Sequence, residues 1–133
     1  MSVYSIYANL TMGNFNLAGE YLAATVDSGA GVGKDAEPSG YWIQTSSALG
    51  EKFEFVVRYS SVDADGRGVK ISDGVRSSPA AKTGQKLEEL YAGISYFIVP
   101  NGMKFQVGYT DSKLSNGNSE NGSGIRSQFQ IDF

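Results

Sequence analysis

Two stretches decide the fold: Met103-Lys-Phe-Gln-Val-Gly-Tyr-Thr110 and the last nine residues, Ile125-Arg-Ser-Gln-Phe-Gln-Ile-Asp-Phe133. In the first, Met103, Phe105, Val107 and Tyr109 alternate with Lys104, Gln106, Gly108 and Thr110. In the second, Ile125, Ser127, Phe129, Ile131 and Phe133 share one phase, and Arg126, Gln128, Gln130 and Asp132 the other. A period of two places such sets on opposite faces of a β-strand, whereas a helix would mix them. Each segment therefore has one apolar face and one face suited to water.

Five earlier segments follow the same rule. Leu90, Ala92, Ile94, Tyr96 and Ile98 alternate with Glu89, Tyr91, Gly93 and Ser95, and Phe53, Phe55, Val57 and Tyr59 oppose Lys52, Glu54, Val56 and Arg58. Tyr41, Ile43 and Leu49 oppose Gln44, Ser46 and Ala48, with Trp42 as a break in the pattern. Phe15, Leu17, Tyr21 and Ala23 oppose Asn16, Ala18 and Glu20, and Tyr4, Ile6, Ala8 and Leu10 oppose Ser5, Tyr7 and Asn9. The reading is an all-β antiparallel meander with strands near 3–12, 15–26, 40–49, 52–62, 87–99, 103–112 and 124–133. At roughly 10–13 residues these strands are long for a soluble sheet and match a tilted membrane crossing.

The connections sharpen this. Gly13–Asn14, Gly50–Glu51 and Pro100–Asn101–Gly102 are tight turns of the residues that hairpins favour. Long polar loops are expected near 27–39, 63–86 and 113–123. Short turns at one end and long loops at the other describe a transmembrane β-barrel. A weak repeat agrees: Phe15 with Tyr21, Phe53 with Tyr59 and Phe105 with Tyr109 share a phase within each strand. The first two pairs are six residues apart and the third, a shorter copy, four. Six residues cover ~20 Å of strand, so such pairs suit the two aromatic girdles that bound a lipid-facing band ~25 Å tall.

Composition removes most alternatives. The 133 residues suffice for one domain. Eleven Lys and Arg against fourteen Asp and Glu give a net charge of −3, so there is no footprint for nucleic acid. With no cysteine and no histidine, disulfide scaffolds, thiolate or imidazole metal sites and His-based catalytic groups are excluded. Glu88 and Glu89 cannot act as an acid–base pair, because neighbours on a strand point to opposite faces. The expectation is a non-enzyme without a cofactor. The start, Met1-Ser-Val-Tyr-Ser-Ile6, is not a secretory signal, and no apolar run reaches the length of a membrane helix.

At this level of detail the chain resembles the C-terminal part of a phosphate-selective porin of the O/P type. The resemblance rests on Gly40-Tyr-Trp-Ile-Gln44, Phe55-Val-Val-Arg-Tyr-Ser-Ser-Val-Asp-Ala-Asp-Gly66 and Leu90-Tyr-Ala-Gly-Ile-Ser-Tyr-Phe-Ile-Val-Pro-Asn-Gly102. It continues through Met103–Tyr109 to Phe129–Phe133 and is weaker before Gly40. It implies a trimeric barrel of about sixteen strands around water, in a Gram-negative outer membrane, passing small anions or other small solutes. Phe129, Ile131 and Phe133 resemble the closing-strand signal presented to the barrel-assembly machinery, which reads an exposed edge by strand pairing. Seven strands fall short of such a barrel, and counting back from Phe133 places the chain start on the loop side. The expectation is a segment that lacks upstream strands or pairs with another chain.

The polar phase supplies the expected pore lining: Glu20, Lys52, Glu54, Arg58, Glu89, Lys104 and Arg126. Its charges nearly balance. Arg58 and Arg126 are the only candidates for arginine rungs, and Arg58 could instead pair with a Glu of a neighbouring strand. The second long loop concentrates Arg67, Lys70, Arg76, Lys82 and Lys86, a basic extracellular surface able to focus anions or meet lipopolysaccharide phosphates. Asp63-Ala-Asp-Gly66 has part of a calcium-loop pattern but lacks its later carboxylate.

Two rival readings remain open at this point. One is a soluble or surface-displayed β-sandwich acting as a binding module; the other is a small barrel that anchors or adheres through its loops. Circular dichroism separates the first from a barrel. Cooperative β-structure is expected only with detergent micelles or lipid vesicles, and the same signal in plain buffer would favour the sandwich.

Overall fold

The computed structural model describes residues 2–26, 35–65, 84–99, 102–117 and 119–131. They form seven strands: β1 (Ser2–Met12), β2 (Phe15–Thr25), β3 (Ser39–Leu49), β4 (Phe53–Asp63), β5 (Gly84–Val99), β6 (Met103–Gly117) and β7 (Glu120–Ile131). All neighbours are antiparallel and lie in chain order, giving one open meander with β1 and β7 at its edges. No second sheet covers it among the described residues.

Local chemistry sets the tight turns. Met12 and Phe15 close a two-residue hairpin whose first central residue, Gly13, has φ +59°. A side chain is disfavoured there, and a positive φ at this position matches the twist of the flanking strands. Leu49 and Phe53 close the second turn, where Gly50 has φ +73°. Val99 and Met103 close the third, with a register shift between Phe97 and Val99 and a hydrogen bond from the Gly102 N–H to the Val99 carbonyl of 3.2 Å.

The turns step along the sheet in a regular way. Phe15 at the first turn pairs with Ser47, and the second turn closes two residues further on, at Leu49. Phe53 pairs with Tyr96, which pairs with Phe105, and the third turn closes two residues beyond that, at Met103. Each hairpin thus advances by two residues, or one residue per strand. With a rise of ~3.3 Å per residue and a strand spacing of ~4.8 Å, turns at a common level need strands tilted by about 35°, as in membrane barrels.

The paired registers sort the side chains into rows. On one face a row near the turns reads Leu49, Phe53, Tyr96, Phe105, Phe129, and a row towards the loops reads Ile6, Tyr21, Tyr41. Tyr59 and Tyr109 continue the second line, stepping down one row at a time as the tilt requires. Ring contacts run along both lines: Phe53 to Tyr96 at 5.0 Å, Tyr41 to Tyr59 at 6.0 Å and Tyr4 to Tyr21 at 6.3 Å between centroids. Between them lie Leu10, Leu17, Ile43, Phe55, Val57, Ile94 and Val107. Most of the large exposed apolar side chains stand on this face. An apolar sheet face without a covering layer is stable only against another apolar medium.

Three expectations change. The segment near 113–123 is strand over most of its length: β6 runs on to Gly117 and β7 begins at Glu120, with Leu114 opposite Glu120. Residues 111–117 lie beyond the aromatic line, where lipid no longer demands an apolar face, so the alternation that marks a strand disappears there. Lys52 sits in the turn before β4 and is exposed, because the hairpin needs three residues between Leu49 and Phe53. Lys86, expected in the basic loop, stands in β5, which starts at Gly84. Arg67, Lys70, Arg76 and Lys82 lie outside the described residues, as does Phe133.

Val57 occupies the middle of the apolar face, between Thr45 and Ala92. Val57→Arg is expected to destabilise the assembled state by ~2–4 kcal/mol. Reduced recovery of folded, heat-modifiable protein from vesicles checks this.

Candidate functional site

The opposite face is the polar one, and the registers order it into successive rows. The row Ala48, Glu54, Ser95, Gln106, Gln128 lies nearest the turns. Next comes Val56, Gly93, Gly108, Arg126, and then Gln44, Arg58, Tyr91, Thr110. Towards the loops follows Tyr7, Glu20, Trp42, Ser60, Glu89, Ser112. Glu20, Glu54, Arg58, Glu89, Lys104 and Arg126 all stand on this face, with Lys104 opposite Phe97 and Gln130. A recess of about 400 Å³ opens over β3 to β7, with Glu54, Arg58, Tyr91 and Arg126 in its lining.

Arg58 is held by neutral groups. Its Nε and Nη2 donate to Gln44 Oε1 at 2.8 and 2.6 Å, and its Cζ lies 5.7 Å from the centre of the Trp42 ring. These hydrogen bonds run to an uncharged acceptor and so leave the charge itself uncancelled. The ring adds a cation–π attraction. The alternative of a Glu partner for Arg58 is replaced by this arrangement. Trp42 in turn donates its indole N–H to Glu20 Oε2 at 3.1 Å and contacts Tyr7, with ring centroids 6.2 Å apart.

The carboxylates and amides are ordered too. Ser112 Oγ donates to Glu89 Oε2 at 2.9 Å, and Gln106 Nε2 donates to Ser95 Oγ at 2.8 Å. Ser95 and Ser112 are 2% and 5% exposed, so their hydroxyls are fixed within the wall. Arg58 and Arg126 therefore occupy adjacent rows, bracketed by Glu54 on the turn side and by Glu20 and Glu89 on the loop side.

Sequence reasoning missed Trp42, Gln44 and Tyr91 as partners in this arrangement. Trp42 looked like a break in the alternation because it is large and aromatic. Its even position on β3 was the available signal, since it shares the phase of Gln44 and Ser46.

At the loop end, the apolar face gives way to charge. Tyr59 donates its hydroxyl proton to Glu88 Oε1 at 2.6 Å, and Lys86 Nζ lies 3.4 Å from the same oxygen. Glu88 pairs in register with Lys113. Asp63 and Asp65 are engaged with backbone: the Asp65 N–H donates to Asp63 Oδ1 at 3.0 Å, and the Glu37 N–H donates to Asp65 Oδ2 at 2.6 Å. The Asp65 carboxylate pins the ends of the first two loops together while Asp63 orders its own loop end, and no cluster suited to a metal ion occurs among the described residues.

An uncovered apolar face bounded by aromatic lines, backed by an ordered polar face on tilted strands, defines a barrel wall. The family described as phosphate-selective porin O and P matches residues 2–133. The chain belongs to this family. The match reaches upstream of Gly40, where the sequence resemblance is weak, and covers both faces of all seven strands. Comparison with curated proteins and with solved structures gives no match. A porin of the O and P family is an outer-membrane β-barrel protein, and its class is a channel rather than an enzyme.

Tyr59→Phe keeps the ring at the aromatic line and removes the hydrogen bond to Glu88. It is expected to cost about 1 kcal/mol of stability in micelles, with conductance unchanged. Denaturant titration followed by bilayer recording checks both halves.

Proposed function

We propose that this sheet forms part of the wall of a water-filled outer-membrane pore through which small solutes and ions diffuse passively, with a modest preference for anions. The observation that carries the reading is the presentation of Arg58 on the polar face by neutral partners, Gln44 and Trp42. A guanidinium fixed by uncharged groups attracts a passing anion without having first surrendered its charge to a carboxylate. Arg126 stands one row away and extends the same field.

The preference is modest because Glu20, Glu54 and Glu89 flank these rows on the same face. Phosphate, with its larger charge, meets that carboxylate field more strongly than chloride does. Lys104 adds a cation towards the turn end, and Lys52 another at the turn itself. The basic second loop, Arg67, Lys70, Arg76 and Lys82, would gather anions at the mouth by focusing. Catalysis and bound cofactors have no place in this mechanism.

The remaining partners follow from the membrane setting. The apolar face meets outer-membrane lipid, and part of it would meet neighbours in a homotrimer. The edges at β1 and β7 need strand partners for the barrel to close, since unpaired backbone in hydrocarbon costs several kcal/mol per group. Phe129, Ile131 and Phe133 would serve as the closing-strand signal for the barrel-assembly machinery. A soluble sandwich lacks support here, because the apolar face has no second sheet among the described residues.

Arg58→Ala tests the reading. One unit charge ~6 Å from an ion in water is worth about 0.7 kcal/mol, attractive to an anion and repulsive to a cation, so the anion-to-cation permeability ratio is expected to fall by up to roughly tenfold. Reversal potentials in a potassium chloride gradient measure it, with assembly unchanged. An unaltered ratio would remove Arg58 from the conducting path.

A further inference from the structure

Tyr91 stands near the middle of the polar recess, on the strand between Arg58 and the β6 neighbour of Arg126. Its ring does not project from the wall. A methyl group added at Gly93, or one added at Gly108, would fall inside the van der Waals radius of the Tyr91 ring. At both glycines the three nearest atoms to that methyl position are ring carbons and the hydroxyl oxygen of Tyr91. Gly93 and Gly108 are direct cross-strand partners, so together they leave a two-residue gap in the layer of side chains. The ring fills this gap and covers backbone that would otherwise face water, as aromatic residues do over sheet glycines.

We propose that Gly93 and Gly108 form a seat that holds Tyr91 flat against the pore wall, and that the position of this ring sets the free passage between Arg58 and Arg126. The proposal rests on the pore reading above. Seated, the ring leaves the two guanidinium groups facing a common volume of water. Unseated, it would stand between them and both narrow the path and separate the charges. The seat is sensitive to a single methyl group because its occupant is the far end of a side chain with free torsions. An alanine at either glycine displaces the ring, not the backbone, so the sheet itself survives the substitution.

Single-channel recording in planar bilayers, on the barrel closed by the strands that pair with the β1 and β7 edges, tests this with Gly93→Ala, Tyr91→Ala and the double variant. Gly93→Ala is expected to lose conductance, and adding Tyr91→Ala is expected to restore it to the wild-type level or above. Unchanged conductance in Gly93→Ala overturns the proposal, and so does a loss that persists in the double variant. Should Gly93→Ala not assemble, Gly108→Ala takes its place, alone and with Tyr91→Ala, because a methyl group there meets the same side chain, and the same two results decide. A wild-type barrel closed by those partner strands that still forms no channel overturns this inference together with the pore reading. A conducting wild type with a silent Gly93→Ala overturns this inference alone.

Discussion

The structure depends on one constraint: a sheet whose outer face is apolar and uncovered must satisfy its backbone polar groups within the ladder. In hydrocarbon no water replaces a missing hydrogen bond. This explains why the strands of the apolar band are long and antiparallel and pair in continuous registers, with the one irregularity beside a turn, between Phe97 and Val99. It also explains the strict division of faces. Every residue between the aromatic lines must choose lipid or water, and register fixes that choice for a whole strand at once.

The polar face carries a second layer of order built on the first. Because Trp42 shares a row with Glu20 and lies one row from Gln44 and Arg58, three strands combine to hold one guanidinium. No loop is needed to position it. A site built from strands is held more rigidly than one built on loops, which suits a wall past which solutes stream rather than a pocket that closes around them. The small residues of the same face have their own role. Gly93 and Gly108 create room that Tyr91 occupies, so the polar face is shaped by absent side chains as much as by present ones.

Much of this was legible in the sequence, because lipid imposes a period of two and the strands obey it between the aromatic lines. Faces, tight turns and the placing of Glu20, Glu54, Arg58, Glu89 and Arg126 on the polar face could be read from phase alone. What escaped is equally physical. The outer halves of β6 and β7 carry Asp111, Lys113, Ser115 and Asn121 on the face that lipid would otherwise claim. Above the membrane both faces are wet, the alternation vanishes, and a strand reads as a loop. The buried Leu114, on the polar phase, is the lone inverse mark of that change. Contacts such as Arg58 with Gln44 were hidden for another reason, since they depend on which strands are neighbours and on their register.

The regular advance of the turns has a consequence for how the family can vary. A slip of one residue between strands would exchange the faces and be rejected at once. A slip of two keeps every side chain on its proper face and conserves all of the ladder, yet it moves Tyr41 or Tyr59 a row out of line with its neighbours. The damage is then a matter of levelling: the hydrophobic belt ceases to lie parallel to the membrane plane, and the bilayer must thin or thicken locally to follow it. The Gly13 and Gly50 turns, by fixing where each hairpin reverses, keep the protein upright in its membrane.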